Sequence, residues 1–108
     1  MLILDEALEA FGEHLDFITT ERQDPVAAAR WAERAISQVE SLGHMPHRCP
    51  FAPENEHRDY PIRFLRVDEC LFLFTVYDDA KVVRILDFRH GRQQPRPERL
   101  PIDPRKHA

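Results

Sequence analysis

The chain reads as an α+β domain, an N-terminal α-helical hairpin packed on a three- to four-stranded antiparallel β-sheet. Three observations predict it. Apolar residues recur at helical spacing in the first part of the chain; apolar, β-branched and aromatic runs fill the stretch from Tyr60 to Phe88; and the last two runs are separated by only four residues. Helical period followed by strand period, without alternation of the two, is the pattern of helices segregated on one side of an antiparallel sheet.

Met1-Leu2-Ile3-Leu4 has the composition of a short first strand. Leu8, Phe11, Leu15 and Ile18 then form one face of a helix, with Glu9, Glu13 and Asp16 on the other, and Asp5 and Glu6 lie where a helix start favours negative charge. A second helix starts at Asp24-Pro25, a capping side chain followed by a proline suited to the first helical position. Its stripe is Ala28, Ala32, Ala35, Val39 and Leu42, and Gly43 is a natural stop. Trp31 and Ile36 lie beside that stripe; they widen it, or, for Trp31, form a partner-facing rim.

His44 to His57 carries Pro46, Pro50 and Pro53 and reads as a long connection to the sheet. Tyr60, Ile62 and Phe64 alternate with Pro61 and Arg63, as in a strand with one solvated face, and Pro61 marks an edge or bulge because it cannot donate to a ladder. Leu71 to Tyr77 is apolar almost throughout, as in a central strand covered on both faces. The connection Asp78-Asp79-Ala80-Lys81 is short enough to make Val82 to Phe88 its antiparallel partner. Gln93 to Ala108 holds Pro95, Pro97, Pro101 and Pro104 among charges and reads as extended or disordered. Residues 1–93 are thus expected as one domain and 94–108 as a Pro-rich basic tail.

At 108 residues the chain suits one modest core. No apolar run is long enough to cross a bilayer and no charged-then-apolar leader is evident, so a cytoplasmic protein without membrane contact is expected. Cys49 and Cys70 are too few for a disulfide framework, and reduced thiols are expected. His44, His47 and Cys49, with His57, have ligand chemistry but no second fixed-spacing pair, so no metal or other cofactor is expected. The net charge is −4 and unevenly spread. Asp5, Glu6, Glu9, Glu13, Asp16, Glu21 and Asp24 face Arg22 alone in the first 24 residues, whereas Arg89, Arg92, Arg96, Arg99, Arg105 and Lys106 outnumber Glu98 and Asp103 from residue 89 onward. An anionic partner would meet the C-terminal end.

Pro53-Glu54-Asn55-Glu56 in the loop, Ile62-Arg63 in one strand, Leu73-Phe74-Thr75-Val76 in the next and Phe88-Arg89-His90-Gly91-Arg92 at the end, in that order after two helices, resemble the RelE/ParE superfamily of bacterial toxins over roughly residues 3 to 93. The resemblance implies the toxin half of a type II toxin–antitoxin module, a plasmid-stabilisation protein held silent in a hetero-oligomer by the C-terminal segment of a cognate antitoxin. RelE-like members cleave messenger RNA on the ribosome, which needs a proton acceptor at the ribose hydroxyl and cations at the phosphate. This chain has Cys70-Leu71 where those nucleases usually carry Tyr-Arg, has only Lys81 and Lys106 as lysines, lacks a Tyr after His90, and is acidic. These departures favour a ParE-like inhibitor of DNA gyrase without a catalytic set of its own; the alternatives are a ribosome-dependent mRNA endonuclease and an inactive relative acting as a protein-binding module.

The resemblance makes Arg63, Arg89 and His90 the catalytic candidates if the chain is a nuclease, and Arg63, Arg89, His90, Arg92 and Trp31 the candidates for contact with antitoxin or target. Arg63 alternates with Ile62 and Phe64 and is expected exposed, joining the cationic face or pairing across strands with Asp87. Tyr60 and Tyr77 are expected as strand residues with solvated hydroxyls.

Overall fold

The computed structural model describes residues 1–77 and 82–107, with only the backbone of His107; the expected Asp78-Asp79 turn lies outside the described residues. The elements run β1 (Leu2–Ile3), α1 (Asp5–Glu21), α2 (Pro25–Glu40), β2 (Arg63–Val67), β3 (Cys70–Tyr77) and β4 (Val82–His90). The α+β plan with two helices followed by the main strands is as expected. One part of it needs correction: the four-stranded sheet has the order β1-β4-β3-β2, and β1 pairs with β4 in parallel. The sheet is therefore mixed, because α1 and α2 carry the chain away between β1 and the three antiparallel strands.

The helical hairpin follows from its caps and stripes. Asp24 Oδ1 accepts the Ala27 N–H at 3.0 Å, and Pro25 occupies the first helical position. In α2 the buried residues are Ala28, Trp31, Ala35 and Val39, so Trp31 is part of the stripe, while Ile36 is exposed on the next row. In α1 the inward face is Ala7, Phe11, Leu15 and Ile18, and Leu8 is exposed. Ala7 takes the inward row beside the sheet, and Leu8, one position on, falls on the outward row. α2 ends at Glu40 and tightens into a 3₁₀ turn, Ser41–Gly43, whose carbonyl end is held by Arg48: its guanidinium donates to the oxygens of His44 (2.6 Å) and Met45 (3.1 Å) and to Ser41 Oγ (2.7 Å).

Each face of the sheet has its own core. Toward the helices lie Leu65, Val67, Cys70, Phe72, Phe74, Val83, Ile85 and Phe88; on the reverse lie Leu4, Ala52, Tyr60, Ile62, Leu71, Leu73, Leu86 and Leu100. This two-sided burial explains why β3 and β4 are apolar at nearly every position. The pairing Leu73↔Asp87 followed by Phe74↔Ile85 leaves Leu86 as an extra residue in β4. This bulge shifts the alternation, so Ile85 and Phe88 both face the helices while Leu86 faces the reverse side.

The reverse face is covered by the proline-rich connection and by residues 94–107, which corrects the expectation of an extended or disordered tail. Leu100 is buried beneath it. Arg58 donates to the carbonyls of Pro97 (2.7 Å), Leu100 (2.9 Å) and Pro101 (3.2 Å), and the Tyr60 hydroxyl donates to Pro101 O at 2.5 Å. Tyr60 is thus buried and paired, contrary to the solvated hydroxyl expected, and burial pushes its phenol up to about 12. The connection itself forms 3₁₀ turns at Pro46–Arg48 and Pro53–His57. Cys49 and Cys70 are free thiols turned into the helix-side core. Among the described residues no helix is long and apolar enough to cross a membrane.

Candidate functional site

The C-terminal end of β4 builds an open cleft of about 400 Å³ between α1 and the returning C-terminal segment. Its floor is Ala10 and Phe88, and its walls include Glu13, His14, His90 and Arg92. The bulge at Leu86 makes this possible: with the phase shifted, His90 follows Phe88 onto the helix side, and the neighbouring Arg89 turns to the reverse side.

Arg89 is 4% exposed and forms a buried, two-pronged ion pair with Glu54, Nε to Oε2 at 2.8 Å and Nη2 to Oε1 at 3.3 Å. A third N–H reaches Gln93 O at 3.1 Å. Glu54 is fully buried. The pair ties the Pro53–His57 turn to β4, which gives the Glu54 position of the loop motif a definite physical task.

His90 is partly exposed; its Nε2 lies 3.1 Å from Glu69 Oε2, its Nδ1 accepts the Arg92 N–H at 3.1 Å, and its own N–H donates to Gln93 Oε1 at 2.8 Å. Gly91 permits the chain to leave the strand here, since its N–H donates to Glu69 O at 2.7 Å and a Cβ would sit 3.1 Å from that oxygen. Arg92 is exposed, and its guanidinium has no hydrogen-bond or ion-pair partner among the described residues.

Arg63 sits apart from this group. On the rung Val67↔Cys70↔His90 the strands are in register, and Arg63 is four residues along β2, roughly 13 Å away at strand spacing. It is partly buried: its guanidinium lies 4.1 Å from the Phe51 ring centroid and donates to Cys49 O at 2.5 Å. The expected pairing with Asp87 does not occur, because Asp87 stands on β4 opposite Leu73 and takes Arg99 as partner at 3.1 and 3.2 Å. Trp31 contributes from behind the cleft. It packs against His14 (ring centroids 4.8 Å apart), Phe11 (5.5 Å) and Phe88 (5.9 Å).

Three contributors to the cleft carry no motif signal. His14 lies between Phe11 and Ile18 on the inward stripe of α1, so position alone marks it as a facing residue. Burial, followed by the fields of His90 and Arg22, lowers its pKa from the ordinary imidazole value. Arg96 and Arg99 come from the proline-rich segment, spaced so that both turn toward the cleft. Hydrogen bonding to Asp87 raises the Arg99 pKa and holds it as a fixed wall; the Nε of Arg96 is buried with no acceptor. Cys70 Sγ lies 3.7 Å from His14 Nε2, but burial, with Asp68 and Glu69 nearby, pushes the thiol up to about 11, so it is a protonated core group at neutral pH.

This arrangement can bind an anion; it does not bring Arg63, Arg89 and His90 to one point. The expected cationic cluster is thus divided: Arg63 lies at the far rungs of β2, while Arg89, His90 and Arg92 all border the cleft, Arg89 with its guanidinium committed to Glu54. Residues 2–95 match the family described as ParE toxin of type II toxin-antitoxin system, parDE. No curated protein matches the chain at a significant level. The family match covers nearly all of the helical hairpin, the sheet and the end of β4, and on it the chain belongs to the ParE toxin family of type II toxin–antitoxin systems.

Proposed function

We propose that the chain is a cytoplasmic toxin that binds and inhibits DNA gyrase and is neutralised in a hetero-oligomer by a cognate antitoxin. The observation that carries this reading is the separation of the basic residues. Cutting RNA requires a proton acceptor at the ribose hydroxyl and cations at the same phosphate. Arg63 is four residues, roughly 13 Å, along the strand direction from the rung of His90 and two strands across from it; it is engaged with Cys49 O, and Arg89 is locked to Glu54 within the core. Such a division supports a protein-binding surface over a catalytic set.

The surfaces suited to partners are the basic cleft, with His90 and Arg92, and an apolar groove of about 290 Å³ on the other side of α1. The groove is bordered by Met1, Ile3, Leu8 and Ile36, each about half exposed, next to the open edge of β1. An antitoxin segment with apolar anchors at helical spacing fits that groove, while acidic side chains of the same segment fit the basic end.

The test is a gyrase reaction with purified chain, supercoiled plasmid and ATP. Accumulation of linear, gyrase-linked DNA is the expected result, and it is abolished by prior addition of the antitoxin encoded beside the chain. Unaltered gyrase turnover together with cleavage of messenger RNA in a ribosome assay would overturn the reading.

A further inference from the structure

The cleft at the end of β4 holds more cationic capacity than the fold uses. Arg99 is committed to Asp87, and Arg89 to Glu54. The Arg92 guanidinium has no partner among the described residues, and the Nε of Arg96 is buried without an acceptor. A buried donor without an acceptor costs free energy that an entering oxyanion returns. His90 and His14 add two imidazoles to the same walls, and the floor beneath them is apolar, Ala10 and Phe88.

We propose that this cleft is a receptor for one carboxylate on an apolar stem, the Glu or Asp side chain of an acidic peptide segment of a protein partner, with Arg92 and Arg96 as its guanidinium ligands. Planar guanidinium forks match a carboxylate. The surroundings select against a nucleic-acid backbone, which needs cations repeated along its track. Here the cations form one cluster at one cleft, room for a single oxyanion and not for a phosphate backbone that continues past it. The two guanidiniums come from the segment leading out of β4, Arg92 directly after Gly91 and Arg96 just before the Pro97–Arg99 turn. The assignment rests on the protein-binding reading of the toxin, and it names which chemistry that binding uses.

The test is NMR of the full chain, following the arginine Nε–H and the histidine ring signals. The probes are a blocked hexapeptide of alternating leucine and glutamate, the same peptide with glutamine, inorganic phosphate, and a short single-stranded oligonucleotide. The glutamate peptide is expected to shift Arg92, Arg96 and His90 and to bind at least tenfold tighter than the glutamine peptide. Arg92→Gln alone, at an exposed position that leaves the fold intact, weakens it severalfold, and Arg92→Gln with Arg96→Gln weakens it more than tenfold. Equal binding of the glutamine peptide, tighter binding of phosphate or oligonucleotide through the same arginines, or no shift with any probe would overturn the assignment. Gyrase inhibition measured on the same variants separates the two claims: a chain that inhibits gyrase but ignores the glutamate peptide loses only the carboxylate site.

Discussion

Arg89 shows how a residue prominent in a motif can be spent on the fold. Its guanidinium and the Glu54 carboxylate are both almost fully buried, and each satisfies the other. Removing one partner leaves an unpaired charge in the interior. Glu54→Gln or Arg89→Met is therefore expected to destabilise the chain by roughly 3–5 kcal/mol in urea unfolding, whereas replacing both by apolar residues costs much less. The order of motifs makes Arg89 and His90 visible in the sequence, but not their opposite fates, because the decisive partner lies 35 positions away and the bulge at Leu86 sets which side chain faces which side. Tyr60 gives a second test. Its phenol is raised to about 12 by burial, so the folded state prefers the protonated form. That stability is fully present below pH 10 and is lost between about pH 10 and 12. Ultraviolet titration of the chain against a Tyr60→Phe variant is expected to show Tyr60 ionising late; ionisation of Tyr60 near pH 10 would contradict the burial.

At the level of elements, the two helices and β3–β4 are legible because their periods are long and uninterrupted. Asp24-Pro25 marks the start of α2 correctly, and Asp24→Ala is expected to cost about 1 kcal/mol, measured by thermal unfolding, through loss of the bond to the Ala27 N–H. The parallel pairing of β1 is not legible: a two-residue strand has no period, and its place is set by the reach of α1 and α2. The C-terminal segment misleads for a different reason. Prolines among charges have the composition of a disordered tail, yet Arg58 holds the backbone oxygens of that segment, and carbonyl acceptors leave no trace in a side-chain pattern. Leu100→Ala is expected to cost roughly 2–5 kcal/mol, as for a buried leucine anywhere in a core. A change below about 0.5 kcal/mol would mean that the segment does not cover the reverse face in solution.

For the whole molecule, the acidic helical side and the basic end of the sheet form two different surfaces, an asymmetry already written in the charge pattern of the chain. That pattern does not reveal that Arg89 and Arg99 are committed within the fold, since their ion pairs with Glu54 and Asp87 join distant positions. The chain belongs to the ParE toxin family, and the separation of Arg63 from His90, with Arg89 paired to Glu54, supports the proposal that it acts by holding another protein and not by cutting RNA. Induction of the unaccompanied chain in a bacterial host, with growth, cell length, chromosome breakage and translation followed together, tests that claim at its root. Growth arrest with filamentous cells and broken DNA while translation continues, relieved by co-expression of the neighbouring antitoxin, is the expected outcome. Rapid loss of translation with cleaved transcripts and intact DNA would refute the claim.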